Sequence, residues 1–281
     1  MRSACDELDA GILCEATCSP GGRLLVLDKA GSTQDVAKEL AANGEKAWTA
    51  VMAMEQARGR GRCGHEWVSP TGKNLAMSVI LRPYLPPRRA PLLSMLAAIA
   101  VANVLEAQGI PDLKLKWPND VLVNNRKIAG ILLEASITQD KLGEVILGLG
   151  VNINSHESDF PRHFPIPPIS YQMCTGRAWD IKEAAKAFLS ELKSLYERME
   201  AQGFEFIPEQ WSARWAHKNH SVTYEGGTAT AVGISNEGFL ILQKHGGSLV
   251  TVVSGDVYPV GDALSSACAQ KEFRGKEVVE H

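Results

Sequence analysis

Lys116-Trp117-Pro118-Asn119-Asp120-Val121-Leu122-Val123-Asn124-Asn125-Arg126-Lys127-Ile128-Ala129-Gly130 is the stretch on which the fold turns. Leu113 to Trp117 and Val121 to Val123 are short β-rich runs. Asn124-Asn125 is a pair that tolerates the positive φ of a hairpin turn, so an antiparallel meander is expected here. Strands at Lys127 to Ile137 and Glu144 to Ile153 continue it. Pro118, Asn119 and Asp120 form a turn that presents side chains rather than burying them. Lys127 opens a buried strand, and a cation in that place is best matched by an anion. At about 4 Å and an effective dielectric near 20, such a pair attracts by roughly 4 kcal/mol before desolvation.

Outward from this meander the chain reads as α+β, a mixed sheet flanked by helices. Strands are expected at Leu24 to Leu27, Trp48 to Met54 and Asn74 to Leu81. Ser32 with Asp35 is placed to cap a helix through Val36, Ala37, Leu40 and Ala41 that stops at Asn43-Gly44. A long apolar helix runs from about Ala90 to Gln108 and ends at Gly109. Asn154 to Ser170 holds four prolines and is a loop. Asp180 starts a helix to Gln202 whose apolar residues Ile181, Ala184, Ala185, Phe188, Leu192, Leu195, Tyr196 and Met199 share one face. Beyond Trp215, four short alternating strands over about 45 residues have the size of a small barrel. The expected division is a tail or single strand over 1–22, a main domain over 23–215, a small domain over 216–262 and a tail over 263–281.

Composition sets bounds. The 281 residues, 45% hydrophobic and 22% charged, carry a formal net charge of -3, so a global basic field for nucleic acid is absent and any cationic site is local. Asp6, Glu7 and Asp9 argue against a secretory signal. Ser94, Asn103 and Glu106 interrupt the most apolar window, which falls short of a membrane span. A cytoplasmic protein follows. Six irregularly spaced cysteines, Cys5, Cys14, Cys18, Cys63, Cys174 and Cys268, argue for free thiols, and the Cys14/Cys18 pair lacks partners at zinc-ligand spacing.

Gly59-Arg60-Gly61-Arg62-Cys63-Gly64-His65-Glu66-Trp67 formally matches the dinucleotide fingerprint but fails on context. No helix can follow at Trp67-Val68-Ser69-Pro70, and no acidic residue stands between Glu66 and Glu106. A P-loop is excluded by sequence. What remains is a backbone able to close round a ligand, with guanidinium forks that grip phosphate or carboxylate oxygens. A Gly/Arg loop alone could be surface decoration. Joined to Lys116 and Lys127, it points to an anion-holding active site of the kind adenylate chemistry uses.

Gly59 to Trp67 followed by Ser69-Pro70 and Asn74-Leu75, then Lys116 to Asp120, Arg126 to Glu134 and Gly148-Leu149-Gly150-Val151-Asn152 resemble, in order and spacing, the catalytic domain of biotin protein ligases. The resemblance covers about residues 24 to 215. Gly255-Asp256-Val257 in the strand-rich end fits that family's SH3-like C-terminal domain. The implied fold is a class II synthetase-like mixed sheet with a small SH3-like barrel. The implied reaction joins biotin and MgATP into biotinyl-5'-AMP and pyrophosphate, then passes biotin to a lysine of a biotin carboxyl carrier protein.

The resemblance also assigns residues. Lys127, with Arg60 and Arg62, is the catalytic set, Lys127 lying between the biotin carboxylate and the α-phosphate. Ser32, Thr33, Gln34, Gln56, Gly61 and Gly130 join those three around biotin. On the adenylate side stand Arg62, His65, Trp67, Lys116, Asn119, Asp120, Lys127 and Asn152, with Asp120 also a candidate magnesium ligand. Trp67 is expected against adenine, and Asn152 as the amide that bonds it. The mixed anhydride needs shelter from water, so the Gly59 to Trp67 loop is expected to close on biotin binding, with slowed hydrogen exchange as the measure.

Two positions depart from the family pattern. His65 stands where an arginine is usual, which exchanges a permanent cation for an imidazole. Gln34 stands where asparagine is common. Only 23 residues precede Leu24, too few for the winged helix-turn-helix of bifunctional ligases, so no DNA-binding repressor is expected. A lipoate-type ligase on the same sheet and a non-catalytic biotin-binding module are the alternatives. Sheet edges in such a fold can pair subunits into a homodimer.

Overall fold

A computed structural model describes residues 12–19, 22–139, 141–161, 164, 166–260 and 278–280 of the chain. Two sheets carry the architecture. In the larger, the elements run β1 (Ile12–Ser19), β2 (Gly22–Ala30), α1 (Thr33–Ala42), β3 (Ala50–Gln56), β4 (Leu75–Leu81), α2 (Ala90–Ala107), β5 (Lys114–Lys116), β6 (Asp120–Val123), β7 (Arg126–Thr138) and β8 (Lys141–Val151). The strand order is β1-β2-β3-β4-β8-β7-β6-β5. β2 and β3 run parallel, with α1 as their crossover, and the other neighbours are antiparallel. Asn124 and Asn125 both take positive φ, 50° and 58°, as the two-residue hairpin requires.

Each face of this sheet has its own cover. Leu75, Met77, Val79 and Leu81 of β4 point to the main core, filled by α2 and by α4 (Ile181–Gln202), which follows the short α3 (Tyr171–Thr175). Asp180 caps α4 by accepting from the backbone N–H of Lys182 and Glu183 at 2.9 and 3.0 Å. On the opposite face, α1 lays Val36, Ala37, Leu40 and Ala41 over Leu25, Leu27, Val51, Ala53, Ile80 and Ile146. α1 is 10 residues long and stops there. The rest of that face stays uncovered by helix, and the functional cavity lies on it.

By length and composition Pro87–Ala107 could cross a membrane, which the sequence reading denied it. Packing decides its place: Leu92, Leu93, Leu96, Ile99, Val101 and Leu105 are all buried in the core.

The smaller sheet begins after α5 (Phe206–Ala213) and comprises β9 (Ser221–Tyr224), β10 (Gly227–Ile234), β11 (Leu240–Gln243), β12 (Leu249–Val252), β13 (Tyr258–Pro259) and β14 (Val278–Glu280). Its order is β13-β9-β10-β11-β12-β14, antiparallel throughout, as in a small barrel-like domain. It docks through the turn at Gly238. The Trp117 indole N–H donates to the Gly238 carbonyl at 3.0 Å, and a Cβ at Gly238 would stand 2.9 Å from Met95 Sδ. Trp117 immediately precedes the Pro118-Asn119-Asp120 turn, so the small sheet braces the site.

The structure differs from expectation at several points. Trp48 sits at φ 68°, in a turn before its strand rather than in it. Ser32 precedes α1 in extended backbone, yet its side chain makes no capping bond, and Asp35 faces Arg60 instead. α3, α5 and β13 were not anticipated. β14 falls within the expected C-terminal tail. Cys63 and Cys174 are free thiols, and burial pushes the Cys174 thiol up. The side chains of the other four cysteines lie outside the described residues.

Candidate active site

Register builds the site. Lys116 pairs with Asp120, Asp120 with Gly130, Gly130 with Gly150, and Gly150 with Ala76, a single row across five strands from β5 to β4. Directly opposed residues of neighbouring strands face the same side. The row therefore sets a lysine and a carboxylate at one end and three nearly bare positions at the other. The next row, Leu132, Gly148 and Ser78, is also mostly small. Side chains withheld here leave a cavity of 430 Å³ on the face that α1 does not reach.

Every residue singled out from the sequence lines that cavity: Ser32, Thr33, Gln34, Gln56, Arg60, Gly61, Arg62, His65, Trp67, Lys116, Asn119, Asp120, Lys127, Gly130 and Asn152. The four cations are drawn together from three separate stretches. Each is also met by a group of the protein. Lys127 Nζ lies 2.6 Å from Asp120 Oδ1 and 5.7 Å from the Trp67 ring centre. Arg62 donates to Asp256 Oδ1 at 3.0 Å, to the Gly255 carbonyl at 3.2 Å and to Asn119 Oδ1 at 3.3 Å. Arg60 donates to Asp35 Oδ1 at 2.6 Å and stands 3.5 Å from Glu134 Oε2. Lys116, 3% exposed, places Nζ 5.2 Å from the Tyr258 ring centre.

Trp67 lies across the glycine row. A Cβ at Gly150 would stand 2.5 Å from Trp67 Cε2, and one at Gly130 3.3 Å from its Cζ3 and 3.1 Å from Lys127 Nζ. Glycine at 150 is what lets the indole rest on the backbone, and glycine at 130 gives the ammonium room beside it. The Trp67 backbone N–H donates to Gly59 O at 3.0 Å, which closes the Gly-Arg loop onto this platform.

Asn152 is tied into the fold by its side-chain amide. Its Nδ2 donates to the carbonyls of Lys127 and Ile169 at 3.2 and 3.1 Å, and its Oδ1 accepts from Asn74 at 3.3 Å. The amide ties the base of Lys127 to the 154–170 loop: both Nδ2 donors are used by the protein, while Oδ1 accepts once and keeps a second lone pair. Ser32 and Thr33 enter α1 beside β3 and β4. Thr33 donates both its backbone N–H and its hydroxyl to Gln56 Oε1, at 2.9 and 3.1 Å, and its Oγ1 meets Ser78 Oγ at 2.8 Å.

Sequence reasoning missed part of the lining. Asp256 and Tyr258 come from the small sheet nearly two hundred positions beyond Arg62; in the sequence Gly255-Asp256-Val257 carries only a domain resemblance. Phe160 and Phe164, edge to face at 6.5 Å, wall the cavity from the proline-rich loop. That loop is pinned by Lys73 to Asp159 at 2.6 Å and by Arg126 to Glu157 at 2.7 Å. An aromatic pair between prolines was the available signal.

His217 sits behind Lys116, 8% exposed, with no partner at Nδ1 among the described residues. Burial, then the Lys116 and His220 charges, lower its pKa to about 4. In the unfolded chain an imidazole protonates near pH 6.5. Above that pH both states are neutral and stability is level. Between pH 6.5 and about 4 only the unfolded chain takes the proton, so stability falls, by about 3 kcal/mol in all. Denaturant midpoints measured across this window should drop, and His217→Gln should flatten the slope by one proton's share.

No group of three or more His, Cys, Asp or Glu side chains that could hold a metal occurs among the described residues. Asp120 and Asp256, two of the carboxylates that line the cavity, are already paired with Lys127 and Arg62. These residues do not make a metal cage.

Comparison with known proteins bears on the same residues. Residues 28–152 match the model of the Biotin/lipoate A/B protein ligase family, and residues 221–258 that of the Biotin protein ligase C terminal domain. The chain is 34% identical over 241 residues to the bifunctional ligase/repressor BirA of Bacillus spizizenii, covering 84% of this chain and 74% of that protein. With the biotin--[acetyl-CoA-carboxylase] ligase of Paracoccus denitrificans it shares 39% over 215 residues, 73% of this chain and 87% of that one. Among solved structures, the biotin protein ligase from Aquifex aeolicus in complex with biotin and ATP superposes with TM-score 0.70 at 27% identity, covering 84% and 97% of the two chains.

Proposed function

We propose a function from one premise: this chain belongs to the biotin/lipoate A/B protein ligase family. It is an ATP-dependent biotin protein ligase, making biotinyl-5'-AMP from biotin and ATP and then transferring biotin to protein. The observation that carries the residue assignment is the convergence of Arg60, Arg62, Lys116 and Lys127 on one cavity floored by glycine.

The chemistry demands that arrangement. A carboxylate oxygen attacks the α-phosphorus and pyrophosphate leaves, so two anions must meet while charge spreads over the phosphoryl oxygens. Fixed cations offset that repulsion and strengthen as the transition state forms. Lys127, held by Asp120 and abutting bare Gly130, is the group we place between carboxylate and α-phosphate. Arg62 and Lys116 take the phosphate side, and Trp67 forms the wall for the adenine. Arg60, drawn outward by Asp35 and Glu134, is the clamp at the mouth. Ser32, Thr33, Gln34 and Gln56 surround the ureido end. Asn152 keeps Lys127 in place. Magnesium would enter with the nucleotide. We place the acceptor among biotin carboxyl carrier proteins and the reaction in the cytoplasm.

Incubating the protein with biotin, ATP and a carrier domain, then weighing the carrier by mass spectrometry, tests the whole reading. Biotin-dependent ATP–pyrophosphate exchange and a biotinylated lysine are expected. Exchange driven by lipoate and not by biotin would overturn it.

Asp256 supplies a further check. Its carboxylate and the Gly255 carbonyl hold the Arg62 fork at the junction of the two sheets. Asp256→Ala should raise the KM for ATP about fivefold while changing the KM for biotin less, as expected for loss of a partly buried charged pair. Exchange kinetics with each substrate varied in turn measure this.

A further inference from the structure

Gln34 is 3% exposed, and its two amide ends meet different fates. Nε2 donates to Glu134 Oε2 at 2.9 Å, whereas Oε1 is buried with no hydrogen-bond partner among the described residues. Flipping the amide would set its oxygen against a carboxylate, so the orientation is chemically forced. Glu134 is itself held, by Lys38 Nζ at 2.8 Å and by Arg60 Nη2 at 3.5 Å. Oε1 lies 3.0 Å from where a Cβ on Gly148 would stand. Glycine at 148 therefore keeps the way from this oxygen to the cavity open.

An unpartnered buried acceptor is costly, and a ligand that brings a donor removes the cost. We propose that Glu134 is a positioning residue: it fixes the Gln34 amide so that Oε1 accepts an N–H from the cyclic urea of biotin. The inference rests on the biotin ligase reading and deepens it. A cyclic urea offers two N–H donors and one carbonyl. Gln56 Oε1 already accepts twice from Thr33, whereas Gln34 Oε1 is a buried acceptor with no partner among the described residues. The dithiolane of lipoate has no N–H, so leaving this oxygen unmet would count against it.

Exchange kinetics and calorimetry on Glu134→Ala, Glu134→Gln, Gln34→Ala and the Glu134→Ala/Gln34→Ala pair test the idea. Glu134→Ala should raise the KM and Kd for biotin about tenfold with kcat and the KM for ATP within about twofold, the scale of one well-placed hydrogen bond. Glu134→Gln keeps an acceptor for Nε2 and should restore most of the affinity. The double variant should be no weaker than Gln34→Ala, because Glu134 acts through Gln34. An N-methylated biotin with its ureido N–H blocked should bind the wild type less well and lose that disadvantage in Glu134→Ala. Wild-type biotin affinity in Glu134→Ala, equal damage in Glu134→Gln, or additivity with Gln34→Ala would overturn the proposal. If Glu134→Ala does not fold, Glu134→Met, closer in volume, takes its place with the same expectations. Absence of biotin-driven exchange in the wild type would instead remove the ligase reading itself.

Discussion

Lys127→Ala is expected to slow adenylate formation by about 10²–10³-fold, the range seen when one preorganised electrostatic group is removed. Biotin affinity should change by only a few-fold, because the urea end is held elsewhere, at Gln34, Gln56 and the Ser32-Thr33 turn. The split arises from geometry. Nζ is fixed by Asp120 at 2.6 Å and by the absence of a side chain at Gly130, so its charge costs no rearrangement when negative charge develops. Lys127→Arg should not rescue the rate, since a planar fork cannot occupy a pocket shaped for a point charge. The truncation also leaves Asp120 largely buried without its cation, which lowers stability. Lys127→Ala/Asp120→Asn should regain stability but not rate. ATP–pyrophosphate exchange read beside thermal unfolding separates the two effects, and an unchanged exchange rate would take Lys127 out of the mechanism.

That both halves of this pair were visible beforehand reflects what sequence carries well. A lysine at the mouth of a buried strand, a Pro-Asn-Asp turn and a glycine-arginine loop are local signals, each with its own chemistry. The helix at 181–202 announced itself by period, and those at 33–42 and 90–107 by their stops at Asn43-Gly44 and Gly109. Register was not legible. Nothing local says that Gly130 and Gly150 stand opposite one another, or that Lys116, Asp120 and Ala76 complete their row. Pairing in an eight-stranded sheet depends on which neighbours β4 and β8 find over more than sixty residues. Asp256 and Tyr258 were hidden for the same reason: docking of one sheet on another leaves no period. Ser32 misled as a cap because serine before a helix fits both a cap and a ligand-facing turn. The bonds made by the Asn152 amide nitrogen required knowing which carbonyls lay within 3.2 Å.

Gly150→Val should cut kcat/KM for ATP by about two orders of magnitude while the protein stays folded. The added Cβ would stand 2.5 Å from Trp67 Cε2 and 2.7 Å from Cζ2, too close for any real contact, and backbone on a central strand cannot yield. The indole must lift from the glycine row, and with it the segment tied to Gly59 O. Two losses follow together: the wall assigned to adenine and the ring beside Lys127. Overpacking of this kind costs about 1–3 kcal/mol in stability, which a chain of this size tolerates. Steric displacement is separable from simple destabilisation by a cycle with Trp67→Ala. If the damage runs through the indole, Trp67→Ala should restore the melting temperature of Gly150→Val toward that of Trp67→Ala alone, leaving activity low in both. Additive losses of stability would mean that Gly150 matters for a reason other than the ring above it. Gly130→Ala, with contacts of 3.1 Å to Nζ and 3.3 Å to Cζ3, should act in the same direction and more mildly, because the lysine end is flexible.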